Sequence, residues 1–559
     1  VATVTTIDTG GTGRRGAQRS VGKNVAALGA GQMFTWTMTL AWTLVVPRLF
    51  GPGGMGLIVT GMAVANILQI ALGAGTSLYV VRSIVIEPER ATRIVATASI
   101  ARVLLVPLFS GATVAWALLA GYSTRQDEVL YLCCAATAVM LIGEPLLSYF
   151  QATERMQYMA IGDAINKASQ GLVGIVLAVI GFGVLGFAVC WLVTAVVVVA
   201  LSVRWAMRYM RIEWRTTRAD FKQIVRGSAT YWTGGLFFTI YAWIDTAMLS
   251  VMTNPTVVGW YGLPMRLWGT FLVIPSIFSR AWLPRLVKAH ERSRDELDRT
   301  AQAPIGLVCA LSLPVATAIA VGAGPGIRLI YGAYYVHAIP VLIILGLNLI
   351  PMYLNIMLAQ VCVAANRQAT WNWLMLGATI FNPAVNAFLI PLAQHRYGNG
   401  AIGAAAALAL TELLIACVGF AIVGRRVVGR SSLQRVARMA LACAGMWPVA
   451  YVLRPAGPIP SMLASLLALL VLIVLSGALT SDERRQVLAV AQRVAARIPL
   501  LSRLTVRARG RFQPAVAGVH ELVPARYRGP RQRALERRAS AVVDAASAVR
   551  EIVLRNNDT

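Results

Sequence analysis

Pro47-Arg-Leu-Phe-Gly51-Pro52-Gly-Gly-Met-Gly56 places four glycines, two prolines and one arginine between two long apolar runs. A glycine loop that cradles phosphate follows a strand, opens a helix and ends in Lys-Ser/Thr. Here the preceding run, 24–46, is apolar at membrane length, and no Lys-Ser/Thr follows Gly56. Pro52, Gly53 and Gly54 are turn formers. The stretch therefore predicts a tight hairpin between two membrane helices, with Arg48 at the headgroup level.

The rest of the chain agrees with a membrane setting. Hydrophobic residues make up 57% of the 559, charged residues 13%, and the mean hydropathy is +0.66. Soluble domains carry about 25% charged residues, so too little polar surface is available for life in water. A crossing helix needs about 20 mostly apolar residues. Fourteen such spans are expected, at 24–46, 56–80, 94–120, 129–150, 158–180, 184–206, 226–251, 258–282, 303–323, 337–362, 371–392, 401–423, 435–453 and 460–480. The first 23 residues are rich in Gly, Thr and Arg and lack the apolar core of a signal peptide.

A net charge of +28 raises the question of nucleic acid. Its placement answers differently. With the N-terminus in the cytoplasm, 42 of the 51 basic residues fall in tails or loops on that side. Arg48, Arg125, Arg328, Arg396 and Arg454 fall on the far side, and Arg102, Lys167, Arg266 and Arg280 lie within spans. The positive-inside rule produces this split. The expectation is a multi-pass protein of the cytoplasmic (inner) membrane with both termini cytoplasmic and no nucleic-acid partner. The seven cysteines all fall inside spans without CxxC or Cys/His spacing, which indicates neither disulfides nor a metal site.

The expected organisation is all-α: a cytoplasmic tail at 1–22, an N-lobe of six spans at 23–210, a basic linker at 211–225, a C-lobe of six spans at 226–424, two extra spans within 434–480, and a basic cytoplasmic tail at 481–559. An even number of spans per lobe leaves both in the same orientation, so a duplication would be a parallel repeat around a central cavity. Sliding the sequence by 203 residues matches Ala26 to Ala229, Gly31 to Gly234, Phe34 to Phe237 and Gly56 to Gly259, a weak trace. In the tail, Leu535, Ala539, Val542, Ala546, Val549 and Val553 form one apolar helical stripe. It would lie on anionic lipid or bind a partner helix.

Charges within the spans are the candidate functional groups, because a membrane-buried ion faces a cavity or a partner. Arg102 and Glu144 lie at matching depths on spans 3 and 4, and Asp245 and Arg266 on spans 7 and 8. Asp163 and Lys167 are one helical turn apart on span 5. Glu412 lies near the middle of span 12 with no partner evident. These seven either glue neighbouring helices or line a hydrated translocation cavity, where Asp245 and Glu412 would take a coupling cation or proton. Tyr241, Trp243, Trp260, Tyr261 and Trp268 either anchor at the interface or stack on sugars. Asn348, Asn355 and Gln360 on span 10, with Asn382 and Asn386 on span 11, either bridge helices or bind hydroxyls.

The turn Arg48-Leu-Phe-Gly51-Pro52-x-x-x-Gly56 resembles the one that opens polysaccharide flippases of the multidrug/oligosaccharidyl-lipid/polysaccharide exporter superfamily. Further pieces follow in the expected order: Tyr241-Ala-Trp-Ile-Asp245, Val258-Gly-Trp-Tyr261, Pro264-Met-Arg266, Ile327-Arg-Leu-Ile-Tyr-Gly332, Ala364-Ala-Asn366-Arg367, Asn382-Pro-Ala-Val-Asn386 and Gly400-Ala-Ile-Gly403. The resemblance covers about residues 23–425. It implies a non-enzymatic transporter that moves polyprenyl-linked oligosaccharide across the membrane by alternating access between two lobes. The implied partners are the lipid-linked sugar, membrane lipids and, through the tail, polysaccharide-synthesis enzymes. No cofactor is implied; Na+, H+ or the membrane potential would supply the energy. Two alternatives stand beside this, a cation-coupled multidrug exporter of the same superfamily and a membrane glycosyltransferase or polymerase. The short outer loops, with Asp127-Glu128 as their one adjacent carboxylate pair and no histidine beside it, argue against the last.

Overall fold

The hairpin forms as the turn chemistry requires. In the computed structural model, which describes residues 12–73, 76–210, 216–453, 455 and 457–478, helix α1 runs Thr12–Gly73. Its 62 residues would stretch roughly 90 Å if straight, three times the hydrocarbon thickness of a bilayer. The break is at Gly51, with φ 64° and ψ 179°, backbone space that a side chain disfavours. Pro52 then opens the second arm, where its missing N–H is no loss. Helix α9 (Pro255–Phe271) lies along both arms. A Cβ on Gly262 would meet Val59 of the second arm, and one turn further the Arg266 guanidinium stacks 3.4 Å from the ring centroid of Trp42 on the first. The chain therefore folds back on itself at Gly51.

The remaining elements are α2 (Thr76–Ile86), α3 (Ala91–Ala120), α4 (Thr124–Ala152), α5 (Met156–Ala168), α6 (Gly174–Ile180), α7 (Gly183–Ala206) and α8 (Arg218–Met252). After α9 come α10 (Val273–Arg292), α11 (Arg294–Tyr331), α12 (Ala338–Ala364), α13 (Gln368–Tyr397), α14 (Gly400–Val423), α15 (Arg430–Val452) and α16 (Pro458–Leu475). A single π turn, Ser169–Val173, joins α5 to α6. The described residues contain no strand, so the all-α polytopic expectation holds.

Each of the fourteen expected spans falls mainly on helix, with two differences in detail. Twelve helices among the described residues are long and apolar enough to cross a membrane. The first of these, Met33–Gln69, contains both arms of the hairpin, and α15 is not among them; Arg430, Arg435 and Arg438 load its first half with charge. The expected linker 211–225 is helical from Arg218 onward, because Thr217 and Asp220 close a capping box at the start of α8. The amphipathic stripe expected at 535–553 lies outside the described residues.

Three buried cores explain how the halves hold. Val80, Ile84, Val95, Phe150 and Ile224 centre one in the first half. Tyr241, Tyr261, Leu345, Tyr353 and Leu408 belong to a second, built almost wholly from the other half. The third joins the halves: Trp42, Val46, Met55 and Phe187 pack with Leu263, Ile327, Tyr335 and Leu342. Residues through Leu469 accordingly form one compact unit.

The internal repeat is clearer in the backbone than in the sequence. The offset of 203 pairs Pro52 with Pro255 as well as Gly56 with Gly259, and both prolines begin a helical arm. At an offset of 212, Glu154 (φ 58°) and Asn366 (φ 57°) are the only described non-glycine residues with positive φ. Each follows a helix C-terminus, and the next residue, Arg155 or Arg367, donates its N–H five residues back, to Phe150 and Cys362 respectively, at 2.8 Å.

Candidate functional site

The first half pairs its acid with a base. Arg102 on α3 and Glu144 on α4 meet at 2.6 Å, as their matching depths predict. Ser77 of α2 also donates to Glu144. Arg102 is buried at 2% exposure, while the Glu144 side chain stays 31% exposed, so the pair forms a wall with one open side.

The second half holds two acids without a base. Asp245 on α8 accepts from Tyr261 Oη at 3.1 Å and from Asn386 Nδ2 at 2.5 Å. Glu412 on α14 accepts from Tyr241 Oη at 2.5 Å and from Asn355 Nδ2 at 2.7 Å. Asn386 also donates to Asn382, and Asn382 to Thr411, which ties α13 to α14. Both acids are 2% exposed, and neither makes an ion pair among the described residues. Glu412, for which the sequence offered no partner, has two.

The expected Asp245–Arg266 pair does not form. Five residues on α9, about 1.4 turns, separate their contacts: Tyr261 reaches Asp245, whereas Arg266 projects to the other half and lies on Trp42. The attraction there is to the face of an indole ring. Arg266 and Asp163 both lie near enough to Lys167 on α5 for their charges to act on it, and Asp163, one turn before it, is exposed and forms no ion pair with it. Arg102 and Glu144 thus cancel, Asp245 and Glu412 are held by their amide and phenol network, and Lys167, with Asp163 one turn away, and Arg266 make no ion pair among the described residues. Arg48, Gly51, Pro52 and Gly56 all belong to the turn, with Arg48 exposed.

Two cavities lie beside these groups. One of 620 Å³ runs between α8, α12, α13 and α14, lined by Tyr241, Asn355, Trp371, Asn372, Trp373 and Glu412 among others. The other, of 580 Å³, is an apolar chamber between α3, α4 and α7. No cluster of three His, Cys, Asp or Glu side chains suited to a metal ion occurs among the described residues. Sequence reasoning missed Trp42 and Ser77 and took Tyr241 and Tyr261 for interface or sugar-stacking rings. The spacing of Tyr261 sixteen residues after Asp245 carries no helical-face signal, since the two belong to different helices.

A bundle of apolar helices whose two halves meet around buried charged side chains defines a multi-pass membrane fold. Over 81% of this chain and 99% of the other, the fold matches that of the lipid II flippase MurJ in an inward closed conformation, with a TM-score of 0.67 and 12% identity. A multidrug-resistance transporter of the MATE family, in an inward-facing conformation and assigned to the MOP superfamily, matches over 74% of this chain and 94% of its own, with a TM-score of 0.50 and 18% identity. Residues 21–290 match the family model described as polysaccharide biosynthesis protein. The resemblance read from the turn motifs therefore holds: this is a protein with the fold of the MOP exporter superfamily. No curated protein matches it in sequence.

Proposed function

We propose that this chain is a flippase that carries polyprenyl-pyrophosphate-linked oligosaccharide across the cytoplasmic membrane by alternating access, with both termini in the cytoplasm. The observation that carries the reading is the unpaired Lys167 and Arg266 at the junction of the halves. A pyrophosphate needs cationic partners, and of the intramembrane bases Arg102 alone is ion-paired among the described residues, to Glu144. The family matched by residues 21–290 and the flippase with a similar fold support the same cargo. The distribution of arginines supports the orientation. Asp245 and Glu412, held by neutral donors alone, are suited to exchange a Na+ or H+ that drives the cycle, since carboxylates are the usual ligands of hard cations and the amide oxygens of Asn355 and Asn386 on the same network have no hydrogen-bond partner among the described residues. The tail at 481–559 would recruit polysaccharide-synthesis enzymes.

The test is the sidedness of lipid-linked sugar in cells. Deleting the protein should trap the sugar on the inner leaflet, and Arg266→Ala or Lys167→Ala should slow its transfer about tenfold or more, the scale of one lost charge-assisted contact. Normal sidedness in the deletion strain sinks the proposal. A second reading, export of lipophilic cations, is favoured by the 620 Å³ aromatic cavity that ends at Glu412. Sensitivity of the deletion strain to cationic dyes, with sugar sidedness unchanged, would select it.

A further inference from the structure

At the end of the bundle that bears the 47–56 turn, two helical arms cross with their backbones touching. Pro52 and Pro255 each begin an arm, and Gly56 and Gly259 each follow one turn later. A Cβ at Gly56 would fall 1.7 Å from the carbonyl oxygen of Pro255, and one at Gly259 would fall 1.9 Å from that of Pro52. Each half's glycine thus admits the other half's proline carbonyl, and no side chain fits at either place. Gly53 faces Thr256, with 3.5 Å between the Cβ position and Oγ1. Below the crossing, Gly262 receives Val59. Beside it, Tyr335 Oη donates to the Pro47 carbonyl at 3.1 Å, which ties the chain just after α11 to the same turn.

The forces at this crossing are short-ranged. Cα–H···O contacts contribute about 0.5–1 kcal/mol each, and dispersion fades once surfaces part by an ångström. Two helix N-termini, each with a partial positive charge, meet there and repel mildly. Such a contact is either fully made or absent, and it opens without stripping an ion pair. Glycine at both positions is needed only while the crossing is made.

We propose that the reciprocal Pro52–Gly259 and Pro255–Gly56 crossing is the outer gate of the transporter, closed in the conformation seen here and parted when the junction opens to the far side. This rests on the alternating-access reading above. The two halves contribute equivalent residues, so the gate is a self-complementary surface made by the repeat.

The experiment uses the full chain in sealed, right-side-out vesicles and a membrane-impermeant maleimide applied outside. Val59→Cys reports access below the crossing, with labelling of the same protein lacking that substitution subtracted. Adding Gly53→Cys and Thr256→Cys and oxidising should form a disulfide across the crossing. Labelling at position 59 should then slow about tenfold and recover on reduction, a shift expected when an open state loses its population. Gly56→Ala or Gly259→Ala, tested with Val59→Cys alone, should raise labelling several-fold. Labelling indifferent to the disulfide, or failure of the disulfide to form, overturns the proposal, and the oxidised and reduced forms are one protein, so misfolding cannot mimic either result. The assay needs no cargo; a chain that passes it while lipid-linked sugar keeps its normal sidedness has lost only the cargo assignment.

Discussion

The two halves treat buried acid in opposite ways. Glu144 of the first half sits against a guanidinium, whereas Asp245 and Glu412 of the second are satisfied by tyrosine hydroxyls and asparagine amides. A carboxylate locked to arginine is a fixed structural element, and its charge is already balanced. One held by neutral donors keeps its negative charge unbalanced and so retains an appetite for a mobile cation. The acid of the first half is therefore fixed by its partner, whereas the two acids of the second keep a negative charge that no arginine or lysine balances among the described residues.

The largest effect that would break this contrast is at Arg102. Arg102→Met strands Glu144 and should cost about 3 kcal/mol of stability, the lower range for breaking a buried pair, while Arg102→Met with Glu144→Leu should recover most of it. Unfolding in detergent measures both, and equal losses would show that the pair is not a closed unit. Next comes Glu412→Gln, which preserves hydrogen bonding with Tyr241 and Asn355 but removes the charge. Thermal unfolding should shift little, and transport should lose its cation or pH dependence with a rate drop of about tenfold. Unchanged cation dependence would place coupling elsewhere. Asp220 gives the smallest effect. Hydrogen bonds from Thr217, with Arg93 at 2.6 Å, hold its carboxyl below the usual carboxylate range. Its contribution is complete above the unfolded value near 3.9 and disappears as pH falls through the lower folded value. Asp220→Asn should cost under about 1 kcal/mol at neutral pH and flatten the stability profile below pH 4.

Crossings, turns and the Arg102–Glu144 pair were legible because each rests on local signals: apolar run length, glycine and proline, and depth counted along a helix. The amide and phenol network was not. Asn355, Asn386 and Tyr261 reach the acids from different helices, and which helix packs on which is decided by tertiary contact. The reach of Arg266 to Trp42 was hidden for a related reason. Depth alone matched it to Asp245, but rotation about the α9 axis, set by Gly262 seating on Val59, turned it toward the other half.

The offset of 203 that pairs the two crossing prolines also pairs Trp42 with Asp245. At that shared register the first half carries an aromatic platform under the Arg266 guanidinium and the second half an acid held by neutral donors. The helices that lead to the crossing thus hold opposite chemistry at matching places, while the proline and glycine framework between them is kept. Exchanging the two residues would therefore take the ring from beneath Arg266 and the carboxylate from Tyr261 and Asn386 at one stroke.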